Sequence, residues 1–270
     1  MNNIKAKKKY GQNFLKDDNI LLKIIEAMPN NNNHIVEIGP GLGDLTQKML
    51  KYKDMTAYEI DSDLLTILKS KFASEIQSKK LELIHTDVLD IWKQNNTLYD
   101  GKYDLIANLP YYIATNIILR AIEDPNCDNI IVMIQKEVAV KFAASEGEKE
   151  FSSLGVIVKL TSKEARILFD VPPTSFEPAP KVMSSILYIK KDSTQVLENQ
   201  FKSFLKAAFT QPRKKLSKNL STNIDKESLS EIYKELNIDE NIRPHELSPS
   251  LYRQMYNKVI LNDKRTEQPE

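Results

Sequence analysis

Asn108-Leu109-Pro110-Tyr111 sets an amide side chain, a stiffened backbone and an aromatic ring directly behind an apolar run, Tyr103 to Ala107. An amide and a ring together can hold a flat, amine-bearing base, and the chemistry they suit is modification of an exocyclic amino group. Proline fixes its own φ and biases Leu109 away from helix, so the carbonyls of Asn108 and Leu109 can point into a cleft rather than into a helix ladder. Asn-x-Pro-Tyr is also an ordinary way to leave a strand, since Asn and Pro form turns and Tyr commonly caps a core. The tetrapeptide takes its meaning from what accompanies it.

A second constellation lies upstream. The run His34 to Ile38 ends in Glu37-Ile38-Gly39-Pro40-Gly41-Leu42-Gly43, which concentrates three of the chain's seven glycines in five positions. Glycines there allow a tight turn and close approach of a ligand to the main chain at a helix N-terminus. The next run, Met55 to Glu59, ends in a carboxylate that can accept both hydroxyls of a ribose, so a nucleoside is the implied ligand. Dinucleotide binders favour Gly-x-Gly-x-x-Gly, whereas here Asp44 falls where the last glycine would stand, and an acid repels a pyrophosphate. S-adenosylmethionine carries a sulfonium and no phosphate, so Glu37 and Asp44 are tolerable beside it. Asp87, after the run Leu81 to His85, can accept a hydrogen bond from the cofactor's adenine amino group or can simply cap the following helix.

Stepping along the chain, apolar runs recur at His34 to Ile38, Met55 to Glu59, Leu81 to His85, Tyr103 to Ala107 and Ile130 to Gln135. Between them lie segments of helical spacing, such as Leu45, Met49 and Leu50, then Leu64, Leu65 and Leu68, then Ile117, Ile118 and Ala121. This alternation predicts a parallel sheet with crossover helices. A leading helix carries the stripe Ile20, Leu21, Ile24, Ile25 and Met28, with Asp17 or Asp18 as its cap. Ala165 to Val171 and Ser185 to Ile189 are two further strands, joined by a short proline-rich link and so expected to be antiparallel neighbours. From about Asp192 only helical spacing remains, in Leu197, Phe201, Phe204, Leu205 and Ala208 and again in Leu229, Ile232, Tyr233 and Leu236. The expected fold class is α/β: a Rossmann-like sheet, mostly parallel with an antiparallel last strand, over residues 1–191, and a small C-terminal all-α domain over 192–270.

Composition narrows the classes. A chain of 270 residues, 41% hydrophobic and 28% charged, predicts a soluble protein of two domains, and no window approaches the roughly 18 apolar residues that span a bilayer. The lysine-rich start, Met1 to Lys9, lacks an apolar signal core, and the single Cys127 fits a reducing cytoplasm, which is the expected location. The soft ligands, His34, His85 and Cys127 among them, are scattered, so no metal is expected. Net charge is only +1, yet Met1 to Lys16 holds five lysines and no acid, and Phe201 to Leu220 holds six Lys or Arg and no acid. Both stretches are candidate phosphate-facing patches, and each is equally readable as a solvated face.

In this order the motifs resemble the small-subunit ribosomal RNA adenine dimethyltransferases, relatives of the erythromycin-resistance dimethylases. The marks are Tyr10-Gly11-Gln12-Asn13-Phe14-Leu15, the glycine loop, Glu59-Ile60-Asp61, Asp87, Asn108-Leu109-Pro110-Tyr111, and Phe176-Glu177-Pro178-Ala179-Pro180-Lys181-Val182. The resemblance implies a class I methyltransferase that uses S-adenosylmethionine to dimethylate adenosines at N6, two adjacent ones in a 3′-terminal hairpin of small-subunit RNA. It implies that Asn13, Leu15, Gly39, Glu59, Asp87 and Asn108 contact the cofactor, with Gly41, Ile60 and Val88 beside them. Asn108, Leu109, Pro110, Tyr111 and Phe176 would form the catalytic pocket, the two rings sandwiching the target adenine. Lys7, Lys8, Lys9, Arg213, Lys214, Lys215 and Lys218 would meet phosphates of the immature small subunit, and the protein would act as a monomer. Two rival readings share the motifs: resistance-type dimethylation of large-subunit RNA, and an assembly factor whose binding outweighs its catalysis. Leu109 and the tail Arg243-Pro244-His245-Glu246-Leu247-Ser248 favour the small-subunit enzyme, whereas Pro212-Arg213-Lys214-Lys215 departs from the family's Arg-rich run.

Overall fold

The computed structural model describes residue 7 and residues 10–266, with side chains as far as residue 261. By contacts the described chain divides into two compact units, one of residues up to 139 together with 163–193, the other of residues 140–162 together with 194 onward.

The first unit opens with β1 (Phe14–Leu15) and α1 (Asp18–Glu26). Asp17 caps α1 by accepting from the N–H groups of Asn19 and Ile20, and the apolar stripe buries Ile20, Leu21 and Ile24. Strands and helices then alternate: β2 (His34–Ile38), α2 (Asp44–Met49), β3 (Met55–Glu59), α3 (Ser62–Lys71), α4 (Ala73–Gln77), β4 (Leu81–His85), α5 (Val88–Asn95), β5 (Tyr103–Asn108), α6 (Ala114–Glu123) and β6 (Cys127–Gln135). After α7 (Lys136–Ala143) and α8 (Ser153–Thr161) come β7 (Ser162–Val171), β8 (Phe176–Glu177) and β9 (Ser184–Lys191).

Seven strands form one sheet in the order β4-β3-β2-β5-β6-β9-β7, while β1 and β8 pair antiparallel by themselves. The pairs β4-β3, β3-β2, β2-β5 and β5-β6 are parallel, and β6-β9 is antiparallel. Burial follows position: β3 and residues Tyr103 to Ala107 of β5 are wholly buried, as strands covered on both faces must be, whereas edge strand β4 keeps only Leu81 buried. The chain leaves β2 for β3 and β4 on one side, then returns to β5 on the other. The carboxyl ends of β2 and β5 are thus a topological switch point, where open α/β sheets bind ligands.

Several boundaries differ from those read in sequence. β5 runs to Asn108, so the amide is the strand's last residue, and β6 starts at Cys127 rather than Ile130 because the mixed stretch Cys127 to Asn129 still pairs with β5 and β9. The β1-β8 pair gives no periodic signal, since two residues cannot show one.

The second unit holds α8 with α9 (Asn199–Ala208), α10 (Leu216–Leu220), α11 (Lys226–Glu235) and α12 (Pro249–Thr266). The partition is therefore not a single cut near residue 191. Residues 140–162 go with the helices because α8 is apolar nearly all round, burying Gly155 to Val158 and Thr161, and it packs on α9 and α12. Phe201, Leu205, Leu229, Ile232, Tyr233 and Tyr252 fill this core, and the Tyr252 hydroxyl donates to the Pro244 carbonyl at 2.7 Å.

Candidate active site

A cavity of about 180 Å³ opens at the switch point. Five stretches of the first unit line it: Tyr10 to Leu15, Glu37 to Leu42, Tyr58 to Ile60, Thr86 to Leu89, and Asn108 to Pro110. The nine residues expected to contact a cofactor, Asn13, Leu15, Gly39, Gly41, Glu59, Ile60, Asp87, Val88 and Asn108, all stand on this lining.

The glycine loop separates two jobs. Gly39 and Gly41 adopt φ of +67° and +62°, which favours glycine, and a Cβ on Gly39 would meet no atom within 4 Å. Its bare backbone therefore faces open cleft, the cradle a ligand needs. Gly43, the N-cap of α2 at φ +77°, is different: a Cβ there would fall 2.5 Å from the Phe72 ring. That glycine serves packing.

Four carboxylates line this cleft, those of Glu37, Glu59, Asp87 and Asp44. Glu37 is buried, receives the Thr46 hydroxyl at 2.6 Å, and burial pushes its carboxyl up to about 8. Glu59 ends β3 at 4% exposure; burial raises it while the N–H groups of Asp61 and Gly41 pull the other way, that of Asp61 donating at 2.8 Å. Asp87 is the N-cap of α5, accepting the Leu89 N–H at 2.9 Å, and lines the cleft as well, so capping and ligand contact are compatible roles. Asp44, by contrast, faces Lys16 at 2.5 Å and Lys71 at 3.5 Å, which balance its charge.

At the end of β5, the Asn108 amide nitrogen donates to the Asn13 carbonyl at 3.0 Å. That bond sets the orientation of the amide, with nitrogen to the leading segment and oxygen available as an acceptor. Leu109 is buried and its N–H donates to the Met133 carbonyl at 3.1 Å, tying the tetrapeptide to β6. The two expected stacking rings lie elsewhere. Tyr111 is half-buried, its hydroxyl 2.6 Å from that of Ser184, and Phe176 is 5% exposed in the core with Leu15 and Ile20; neither is on the lining of this cavity. Tyr112, which follows in the sequence and was not singled out, lines the cavity at 60% exposure, beside Gly11.

The basic residues also sort themselves. Lys7, expected to face phosphate, is held instead by Asp61 at 2.6 Å and Asp63 at 2.5 Å, which raise its pKa and occupy its charge. A long-range partner of this kind leaves no trace in spacing. Lys8 and Lys9 lie outside the described residues. Arg213, Lys214, Lys215 and Lys218 are exposed in the second unit, and the ion pairs among the described residues include none of them. Among the described residues no group of three or more His, Cys, Asp or Glu could hold a metal ion.

A mostly parallel seven-stranded sheet with a bare-backbone loop after its first parallel strand and a buried carboxylate after the next is the fold of the Rossmann-like methyltransferases. Two solved structures share it: the 23S rRNA methyltransferase ErmE, at 21% identity and TM-score 0.69 over 92% of this chain and 100% of that one, and a dimethyladenosine transferase from Plasmodium falciparum, at 25% identity and TM-score 0.77 over 93% and 98%. The model of the family "Ribosomal RNA adenine dimethylase" matches residues 3–261, and the chain belongs to that family. Among its relatives, the "Ribosomal RNA small subunit methyltransferase A" of Aliarcobacter butzleri (strain RM4018) is 68% identical over 96% of this chain and 98% of its own length. The protein of the same name from Sulfurimonas denitrificans is 51% identical over the whole of both chains.

Proposed function

We propose that this enzyme dimethylates N6 of two adjacent adenosines in a 3′-terminal hairpin of small-subunit ribosomal RNA, on the immature small subunit, as a cytoplasmic monomer. One observation carries the chemistry: the Asn13 carbonyl ties down the Asn108 amide nitrogen and leaves the oxygen as an acceptor on the lining of the cleft. Relatives named for small-subunit RNA, the first of them 68% identical to this chain over 259 residues, support the substrate.

S-adenosylmethionine supplies, when bound, a methyl group on a sulfonium sulfur. The cleft fits it: Gly39 offers open backbone, Glu59 a buried carboxylate for ribose hydroxyls, Asp87 a carboxylate for the adenine amine, and Glu37 an acid compatible with a cation. Asn13, Leu15, Gly41, Ile60 and Val88 complete the wall.

An adenine amino nitrogen is a poor nucleophile because its lone pair is delocalised into the ring. If the Asn108 oxygen and the Leu109 carbonyl both accept its hydrogens, the nitrogen pyramidalises and its lone pair is released for the first transfer. The proton shed by the alkylated nitrogen passes to solvent rather than to a dedicated base, and in the second transfer the one remaining hydrogen is held by one of the two acceptors. Pro110 holds the two acceptors in register. Positioning of this kind is worth up to roughly 7 to 11 kcal/mol of barrier. The target base must leave its stack, at a few kcal/mol, and aromatic stacking worth about 1 to 3 kcal/mol offsets the cost. Tyr111, braced by Ser184, is the first ring assigned to that task; Phe176 would join it by turning out of the core position it occupies beside Leu15.

The test is incubation of the pure protein and S-adenosylmethionine with immature small subunits and, separately, with large-subunit RNA, followed by mass mapping of methylated adenosines. Two neighbouring dimethyladenosines near the 3′ end of small-subunit RNA are expected. Transfer to large-subunit RNA alone overturns the assignment.

A further inference from the structure

Asp61 lies two residues beyond Glu59 and is 2% exposed, yet donors from three directions meet its carboxylate. One oxygen accepts Nζ of Lys7 at 2.6 Å and the Asp63 N–H at 3.1 Å; the other accepts Nε2 of Gln12 at 2.9 Å. Gln12 is itself held by the Lys7 N–H, which donates to its side-chain oxygen at 2.7 Å. Capping α3 requires only the Asp63 bond, which Ser or Asn would serve without burying a charge. The second oxygen is occupied by a residue 49 positions earlier in the chain. Burial by itself would raise this carboxyl, and the bonds from Lys7, Gln12 and Asp63 bring it below its ordinary value.

The segment so gripped is part of the cleft. Tyr10 to Leu15 line it, Asn13 receives the Asn108 amide, and Phe14–Leu15 pairs with Phe176–Glu177. The segment is thus fastened at β8, at Asn108 and, on the β3 side, at Asp61. Releasing the last of these frees the stretch that carries the Asn13 carbonyl. We propose that Asp61 is a positioning residue: by clamping Gln12 and Lys7 it holds the leading segment across the cleft and, through the Asn13 carbonyl, fixes the Asn108 amide with its oxygen free to accept. This rests on the cleft being the S-adenosylmethionine and adenine site.

Asp61→Ser separates the clamp from the cap, because serine still caps α3 but cannot reach Gln12 and Lys7 together. With the full-length protein, Asp61→Ser should bind S-adenosylhomocysteine about tenfold more weakly by calorimetry, a loss of about 1.4 kcal/mol. Single-turnover methylation of small subunits at saturating cofactor should also slow, with KM for the particle unchanged. Gln12→Leu should reproduce the loss in part, and the double variant should be no worse than Asp61→Ser, since both cut one connection. Wild-type affinity and rate in Asp61→Ser, or losses that simply multiply in the double variant, would show the residue to be a helix cap only. Failure of the unmodified protein to bind S-adenosylhomocysteine would instead overturn the reading of the cleft, and the clamp with it. Gln12→Leu alters a partly exposed side chain, so it decides the matter even if Asp61→Ser does not fold.

Discussion

At the scale of single residues the site depends on which polar atoms are already engaged. Asn108 spends its donor on Asn13 and keeps its acceptor, so Asn108→Ala removes the acceptor while leaving the exposed basic cluster of Arg213, Lys214, Lys215 and Lys218 untouched. Losing one pre-aligned hydrogen-bonding group costs on the order of 100- to 1000-fold in rate, and single-turnover methylation should fall by that much with RNA affinity retained. A rate above a tenth of the unmodified enzyme's would remove Asn108 from the role of acceptor. The same variant, placed in cells, separates catalysis from occupancy: normal small-subunit maturation without methylation would locate the biological role in binding. Glu37 gives a pH test. Its folded pKa of about 8 lies above its ordinary 4.5, so the folded state keeps a proton that the unfolded chain has lost between those values. Stability must then fall as pH rises through this window, by up to about 1.4 kcal/mol per unit. Glu37→Gln keeps a partner for the Thr46 hydroxyl and cannot ionise, so denaturant titrations from pH 5 to 8 should show a flatter dependence. Parallel curves for the two proteins would mean that Glu37 titrates normally.

At the scale of elements, the glycine loop predicts opposite consequences for neighbouring positions. Gly43→Ala combines an unfavourable φ with a Cβ 2.5 Å from the Phe72 ring, and should cost about 2 kcal/mol or more in unfolding free energy. Gly39→Ala carries a similar backbone penalty but no collision, and its methyl group projects toward the cradle. It should therefore lose more cofactor affinity than stability, measured by calorimetry beside denaturation, and the reverse pattern would exchange the roles assigned to the two glycines. The same loop shows how far sequence carried. Runs such as His34 to Ile38 and Tyr103 to Ala107 declare their strands because burial on both faces demands mostly apolar residues, each run admitting a single buried acid, Glu37 and Asp104, and β2, β3 and β4 begin and end where their runs do. The glycine cluster, Glu59, Asp87 and Asn108 were legible because each stands at or within a few residues of the carboxyl end of such a strand, and parallel strands bring those ends to one edge. What was not legible is what spans the sequence: the Asn13 carbonyl on Asn108, the Lys7 and Gln12 grip on Asp61, and the β1-β8 pair join residues tens of positions apart with no periodicity to announce them. Helix α8 escaped for another reason, since a segment apolar nearly all round, with Lys159 its one exposed residue, has no polar face to set its period.

At the scale of the molecule, a net charge of +1 would not draw a protein to RNA, so affinity has to come from where charge is placed. Between Phe201 and Leu220 the sequence has six basic residues and no acid, and Arg213, Lys214, Lys215 and Lys218 of that stretch are exposed. Lys7, by contrast, is already neutralised by Asp61 and Asp63, and should add little. Cations that meet phosphates release condensed counterions, and each contact contributes roughly 0.7 to 0.9 to the slope of log affinity against log salt. Replacing Arg213, Lys214 and Lys215 with Gln should therefore weaken binding to the small-subunit hairpin across sequences and reduce that slope by about 2 to 3, if each of them meets a phosphate. S-adenosylhomocysteine affinity should be unchanged, because the cleft proposed to hold the cofactor is built from the other unit. Lys7→Gln is the internal control: it should leave the salt slope where it was and act instead on cofactor affinity, through the Asp61 clamp. A triple variant with an unaltered slope would make the patch a solvated face, and a slope that falls with Lys7→Gln would return that lysine to the RNA surface.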